Sequence, residues 1–223
     1  MTLRVGVLAV QGAVSEHVDA LRRAADASGR KVQVITVRTP AELASVHGLV
    51  MPGGESTTIS RLLRSNHLQE PLLARAGKDL AIFGTCAGLI LLASHADHDV
   101  ADKDIRLLGL LDATVDRNAF GRQRESFETV LEVDGIGAMP AVFIRAPSLP
   151  EVHGDTQVLA MAGNRIVAAT KGLVMGTAFH PELTPDTRLH ERFLEQAEQA
   201  AAAATAAATG APSAASTTPT TST

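Results

Sequence analysis

The sequence predicts an α/β protein built on a parallel sheet with helices on both faces. Three observations predict it. Short apolar runs rich in Val, Ile and Leu alternate with amphipathic helical patterns, the order that βαβ units impose. Several of these runs end in glycine-bearing turns, at Gln11-Gly12, Pro52-Gly53-Gly54 and Gly84-Thr85-Cys86-Ala87-Gly88. Finally, 223 residues at 45% hydrophobic and 20% charged suffice for one sizeable core and rule out wholesale disorder.

Taken in order, residues 4–10 form a first strand. Residues 14–27 form an amphipathic helix with Val14, Val18 and Leu21 on one face. After a strand at 32–37, Thr39-Pro40-Ala41-Glu42 offers an N-cap, a proline at the first helical position and a capping-box acid. Residues 49–51 make a third strand, with a helix from about Thr57, and residues 80–83 a fourth that runs into an apolar helix at 89–93. Beyond Leu107 the texture changes to short strands at 114–115, 129–133, 142–144, 157–160, 166–170 and 173–179, then a closing helix at 187–200. From about Ala201 the chain is dominated by Ala, Thr, Ser and Pro, too poor in bulky side chains to fold onto a core. The expectation is one domain over residues 1–200, without internal repeats, and a disordered low-complexity tail at 201–223.

Charge and cysteine usage narrow the functional classes. A formal net charge of −4 offers no basic face for nucleic acid, and clusters such as Arg22-Arg23 are too short to change that. One cysteine allows no internal disulfide and no Cys-x-x-Cys metal site, which suits a reducing compartment and makes cytoplasm the expected location. The apolar run after Arg4 stops at Gln11-Gly12 without a small-residue cleavage site, so it reads as a strand rather than a signal peptide. No stretch approaches the ~18 apolar residues of a membrane span, so the expectation is a soluble protein.

The only cysteine sits in Gly84-Thr85-Cys86-Ala87-Gly88, a G-x-C-x-G sequence between a strand and a helix. This is the cysteine counterpart of the serine nucleophile elbow. A sharp strand-to-helix turn lifts the central side chain out of the sheet, and side chains two positions either side would collide. The helix start favours thiolate, and the N–H of Ala87 points at any oxyanion formed on an attacked carbonyl. The competing reading is a buried structural cysteine between two loosely placed glycines.

Phe179-His180-Pro181-Glu182 follows an apolar strand late in the chain. Pro181 disfavours helical backbone at His180, so extended geometry would project His180 and Glu182 towards the same site. His180 then serves as base and acid for Cys86, and Glu182 fixes its tautomer. A surface His-Pro turn with a solvated glutamate is the bland alternative. The other seven histidines lack a following Pro-acid pair at a strand end and are expected to be uninvolved.

Together these residues resemble the class I, triad-type glutamine amidotransferases. Further stretches narrow the resemblance to the glutaminase subunit family of pyridoxal 5′-phosphate synthase: residues 7–14, Met51-Pro52-Gly53-Gly54-Glu55-Ser56-Thr57-Thr58, residues 83–90, Arg117-Asn118-Ala119-Phe120-Gly121-Arg122-Gln123 with Ser126-Phe127-Glu128, residues 142–147 and residues 179–184. The resemblance covers about residues 3–200; the acidic stretch 97–104 looks like a loop insertion.

The resemblance implies a three-layer, flavodoxin-like, mixed but mostly parallel sheet. It implies Cys86 as nucleophile with His180 and Glu182 completing the relay, Gly54 and Ala87 as the oxyanion hole, and glutamine contacts from Gly54, Glu55, Ser56, Arg117, Ile144 and Arg145. Those residue types suit free glutamine, whose carboxylate needs cationic or N–H donors and whose ammonium needs an acceptor. A solvated arginine, an ordinary Pro-Gly-Gly turn and a helix cap at Ser56 are the bland readings of the same positions. The family implies glutamine hydrolysis, with ammonia passing to a (β/α)8-barrel synthase subunit in a large hetero-oligomer that activates the glutaminase on docking. It implies no cofactor and no metal, since pyridoxal 5′-phosphate is the product. Gln11, Ala13 and Glu16 are the expected docking surface. The alternatives are a glutaminase subunit serving another acceptor pathway, a non-catalytic regulatory partner, and a cysteine peptidase on the same elbow.

Overall fold

Six residues, Leu3–Leu8, form strand β1 with all but one side chain buried, as befits a strand covered on both faces. The computed structural model describes residues 2–96, 104–117, 119 and 126–209. Helix α1 (Val14–Ala27) leads to β2 (Val32–Val37), α2 (Pro40–Ala44) and β3 (Gly48–Met51). The capping box is present: Thr39 accepts from the Glu42 N–H while the Glu42 carboxylate accepts from the Thr39 N–H. Next come α3 (Ser56–Ser65), α4 (Gln69–Arg75), β4 (Ala81–Thr85) and α5 (Ala87–Leu92).

Strands β2-β1-β3-β4 pair in parallel and in that order, and β12 (Val174–Thr177) joins β4, also in parallel. This is the flavodoxin-like order, in which ligands bind at the carboxyl ends of the strands. Helix α1 packs with the C-terminal helix α6 (Arg188–Thr209) over β1 and its neighbours, while α5 packs with α3 and lies on β3, β4 and β12. The α6 seat is close because β3 begins with glycine: a Cβ on Gly48 would lie 2.8 Å from Phe193 Cζ and 2.9 Å from Ala197 Cβ.

The other half of the molecule is antiparallel. Strand β11 (Arg165–Lys171) pairs with β12 and with β10 (Gln157–Ala162), and the sheet continues to β7 (Phe127–Val133) and β8 (Gly137–Phe143). Beside it, β6 (Leu111–Asp116) pairs antiparallel with β9 (Ser148–Val152) and, as the exception in this half, in parallel with β5 (Ala93–Ala96). The sheet is therefore mixed around a parallel core.

Several expectations need correction. The sequence reading misses α4, β5 and β9, which are short elements without a sustained period. The fully buried face of α1 centres on His17, Ala20, Leu21 and Ala24, with Val14 and Val18 at its rim. The closing helix does not stop at 200 but runs to Thr209. Alanine has the highest helix propensity, and extending an existing helix carries no nucleation penalty; past Ala200 the helix is largely exposed. Positions 210–223, most of the 97–104 stretch, and Asn118 and 120–123 of the arginine-asparagine segment lie outside the described residues.

Candidate active site

Strand register brings the site together. Met51 of β3, Gly84 of β4 and Gly176 of β12 are paired across the three strands, so the residues just beyond them emerge at one edge. From β3 come Gly53, Gly54 and Glu55, from β4 comes Cys86, and from β12 comes His180.

Cys86 has φ 49° and ψ −103° and caps α5. A non-glycine residue at positive φ is held there by its surroundings, and the Cys86 N–H donates to the Thr177 carbonyl at 2.8 Å. The flanking glycines are required by contact: a Cβ on Gly84 would sit 2.7 Å from the Gly88 carbonyl carbon, and one on Gly88 would strike the Met51 carbonyl oxygen. The first N–H groups of α5, from Ala87 onward, have no partner within the helix.

The His180 Nδ1 lies 2.8 Å from Glu182 Oε1, and the ring lies beside Cys86. Burial opposes charge on this imidazole, but the bonds to Cys86 and Glu182 and their charges outweigh it, holding the pKa at about 10. The backbone route differs from the expected one. Pro181–Leu183 is a 3-10 turn rather than extended chain, so Glu182 curls back beneath His180, and the turn closes with Leu183 N–H on the His180 carbonyl. The contact is the expected one, reached by a turn because Pro181 at its start has the φ such a turn needs.

In front of Cys86 is a pocket of about 160 Å³, lined by Gly54, Glu55, Ser56, Cys86, Ala87, Ile90, Arg117, Ile144 and Arg145. That is roughly five water molecules' worth, the scale of one small metabolite. All the residues expected to contact glutamine line it, and Ile90 is an addition. Arg117 donates to Glu55 Oε1 at 2.8 Å across it, with Glu55 half exposed. Arg145, like Cys86, sits at positive φ, 46°. The Cys86 Sγ is 4.0 Å from the Ile144 carbonyl oxygen. Ser56 is buried with its Oγ unpartnered.

The β3 loop is held from several sides. The Gly53 N–H donates to Thr85 Oγ1 at 3.0 Å, its carbonyl accepts from the Ala13 N–H at 3.1 Å, and the Glu55 N–H donates to Gln11 Oε1 at 2.8 Å. No side chain fits at Gly53, where a Cβ would be 2.6 Å from His180 Cε1. A larger cleft of about 550 Å³ between β7 and β10 offers only Glu132 and Asp134 as titratable groups and no nucleophile. Among the described residues no group of three or more His, Cys, Asp or Glu could hold a metal ion, and no helix is long and apolar enough to cross a membrane.

Sequence reasoning misses His17 and His190. Both are fully buried behind Glu182, and the available signal is a histidine within the apolar face of each helix.

The sheet order and a strand-borne Cys-His-Glu cluster define a class I glutamine amidotransferase-like α/β protein. Residues 7–199 match the SNO glutamine amidotransferase family, and the chain belongs to that family. It is 49% identical to the pyridoxal 5′-phosphate synthase protein PdxT of Archaeoglobus fulgidus, covering 88% of this chain and 99% of the relative. It is 52% identical to the PdxT protein of Methanoregula boonei, covering 86% and 98%. A crystal structure of a glutamine amidotransferase superposes with TM-score 0.78 at 45% identity, covering 87% and 98%. Another glutamine amidotransferase, from Thermotoga maritima, at 12% identity and TM-score 0.55, covers 95% and 100% and shares the fold.

Proposed function

We propose that this chain hydrolyses L-glutamine to L-glutamate and ammonia, as the glutaminase subunit of a pyridoxal 5′-phosphate synthase. The observation that carries the chemistry is the buried His180 ring beside Cys86 and bonded to Glu182, with Cys86 lining a pocket that also holds one carboxylate and two guanidinium groups. Cys86 gives its proton to His180, and the sulfur attacks the side-chain amide carbon of glutamine. The oxyanion is received by the N–H groups of Ala87 and Gly54. Imidazolium on His180 protonates the amide nitrogen, ammonia leaves, and a glutamyl thioester remains. Neutral His180 then takes a proton from water as that water attacks the thioester, and collapse releases glutamate and the Cys86 sulfur.

Substrate selection follows from the pocket mouth. The α-carboxylate is taken by Arg117 and Arg145 and the α-ammonium by Glu55, with Ser56 and the Ile144 carbonyl completing the contacts. Ammonia passes to a (β/α)8-barrel synthase subunit in a large cytoplasmic hetero-oligomer, and this chain uses no cofactor of its own. Docking at Gln11, Ala13 and Glu16 is supported by the two hydrogen bonds that tie this loop to Gly53 and Glu55, a direct route from the docking face to the oxyanion donors.

The test is glutamine hydrolysis by the full chain with and without a co-expressed synthase subunit, for the natural sequence and for Cys86→Ala. Activity that needs the partner and vanishes with the thiol supports the reading. Retained hydrolysis in Cys86→Ala sinks it.

A further inference from the structure

Behind the triad, three polar side chains meet under the Phe83 ring. His17 of α1, His190 of α6 and Thr85 at the end of β4 are each fully buried. His17 Nδ1 is 3.2 Å from His190 Nε2. The other nitrogen of the same ring, Nε2, is 3.0 Å from Thr85 Oγ1 and 3.4 Å from Glu182 Oε1. Thr85 Oγ1 is also the atom that receives the Gly53 N–H. One imidazole nitrogen therefore touches both the carboxylate that orients His180 and the hydroxyl that anchors the β3 loop.

The surroundings fix where the protons sit. Edge-on contacts with the Phe83 ring pack against both imidazoles. Burial first, then the proximity of His190 and His180, keeps His17 well below the ordinary histidine range; burial, with Arg23 adding to it, takes His190 to about 3. Both rings are neutral, so the 3.4 Å approach of His17 Nε2 to Glu182 Oε1 is a polar contact rather than an ion pair, and the hydrogen bond of that nitrogen is with Thr85. Glu182 Oε1 already accepts from His180. A bare His17 Nε2 would set a lone pair against that oxygen with no water between them. The proton therefore belongs on His17 Nε2, which leaves Nδ1 to accept from His190 Nε2–H and leaves His190 Nδ1 bare. That last atom has no hydrogen-bond partner, which suits a weak acceptor in apolar surroundings. The opposite tautomers would strand a buried N–H there, a rare and costly arrangement.

We propose that His17 and His190 are positioning residues for glutamine hydrolysis: a neutral imidazole pair, with the His17 proton locked on Nε2, that holds Glu182 and the Thr85–Gly53 contact in one register. The orienter of the base and the oxyanion loop are thus set by a single ring. The inference rests on the glutaminase reading but concerns groups that touch neither substrate nor Cys86.

The experiment uses the full chain with its co-expressed synthase subunit, comparing His17→Phe, His17→Gln, His17→Asn and His190→Phe, with rates normalised to Cys86 that a thiol reagent can label. The Phe substitution keeps the ring volume and removes the hydrogen bonds. It should lower kcat about tenfold, the equivalent of one buried hydrogen bond, while KM stays within about twofold. His17→Gln, whose amide N–H reaches the Nε2 position, should recover most of the loss; His17→Asn, which reaches only the Nδ1 position, should not. Imidazole ¹⁵N shifts of the full chain should show His17 protonated on Nε2 alone. Unchanged kcat in a folded His17→Phe chain overturns the proposal, as does a His17 proton on Nδ1. If His17→Phe fails to fold, the Gln/Asn contrast and the ¹⁵N pattern decide. Failure of the natural complex to hydrolyse glutamine would instead remove the glutaminase reading and leave the tautomer assignment standing.

Discussion

His180 divides two environments that differ in almost every respect. In front is an open pocket where Glu55 and Arg117 face each other, with Glu55 half exposed. Behind is a sealed space in which Glu182, His17, Thr85 and His190 share hydrogen bonds and almost no solvent. Water in front screens charges and lets partners exchange, which a site that must admit and release an amino acid requires. Without water behind, each polar group must be satisfied by a fixed neighbour, and that rigidity keeps the His180 ring in one orientation. Charges in front should therefore control binding, and hydrogen bonds behind should control turnover.

The strongest way to break this contrast is Glu182→Gln, which keeps the shape and presents an amide to His180 Nδ1. A comparable change in a serine triad costs roughly 10⁴ in kcat. A loss on the order of 10³ with little change in KM is expected here, read from steady-state glutamine hydrolysis by the complex. An equal rise in KM would show that front and back are not separable.

Acid stability probes the sealed side alone. Histidines whose folded pKa lies below the unfolded value cost nothing above about 6.5, where both states are neutral. As pH falls below that value the unfolded chain gains protons that the folded chain refuses, so stability drops until the folded pKa is passed. For His190 that window runs down to about 3, and His17 acts in the same direction. Across that window His190 contributes about 1.4 kcal/mol per pH unit, roughly tenfold per unit in the unfolding equilibrium, and His17 adds to it in the same direction. Denaturant titrations between pH 6 and 4 should show at least that slope, and His190→Phe should reduce it by about 1.4 kcal/mol per pH unit. His180 works in the opposite range, stabilising the fold in full below about 6.5 and losing that contribution as pH rises towards about 10.

On the open side, Arg117→Ala should raise KM about tenfold and leave kcat within a few-fold. Its pairing with the exposed Glu55 should be worth under ~1 kcal/mol in a double-mutant cycle of stability, the smallest effect of the set. A large coupling there would mean that the front is as rigid as the back.

Legibility in the sequence follows the same division. The elbow, the His-Pro-Glu run and the Gly-Gly-Glu-Ser turn are local patterns, each set by neighbours within a few residues, and all converge in the structure. Thr39-Pro40-Ala41-Glu42 is readable for the same reason. The His17–His190 contact spans 173 positions, and nothing local marks it beyond a polar ring in the apolar face of a helix. Strands β5 and β9 escape a local reading because their pairing depends on β6 and β11, distant in sequence. The length of α6 escapes it because low complexity and the helix propensity of alanine pull in opposite directions, and an established helix lets propensity win.

Because His190 reaches the back of the site from α6, 173 positions after His17, the brace there exists only when α1 and α6 are both in place. A chain still emerging, or one whose last helix has come undone, has Cys86 in its elbow but lacks the ring contact that steadies His17 against Glu182. Such a chain would turn glutamine over more slowly, so the full rate is reached only once α6 has docked against α1.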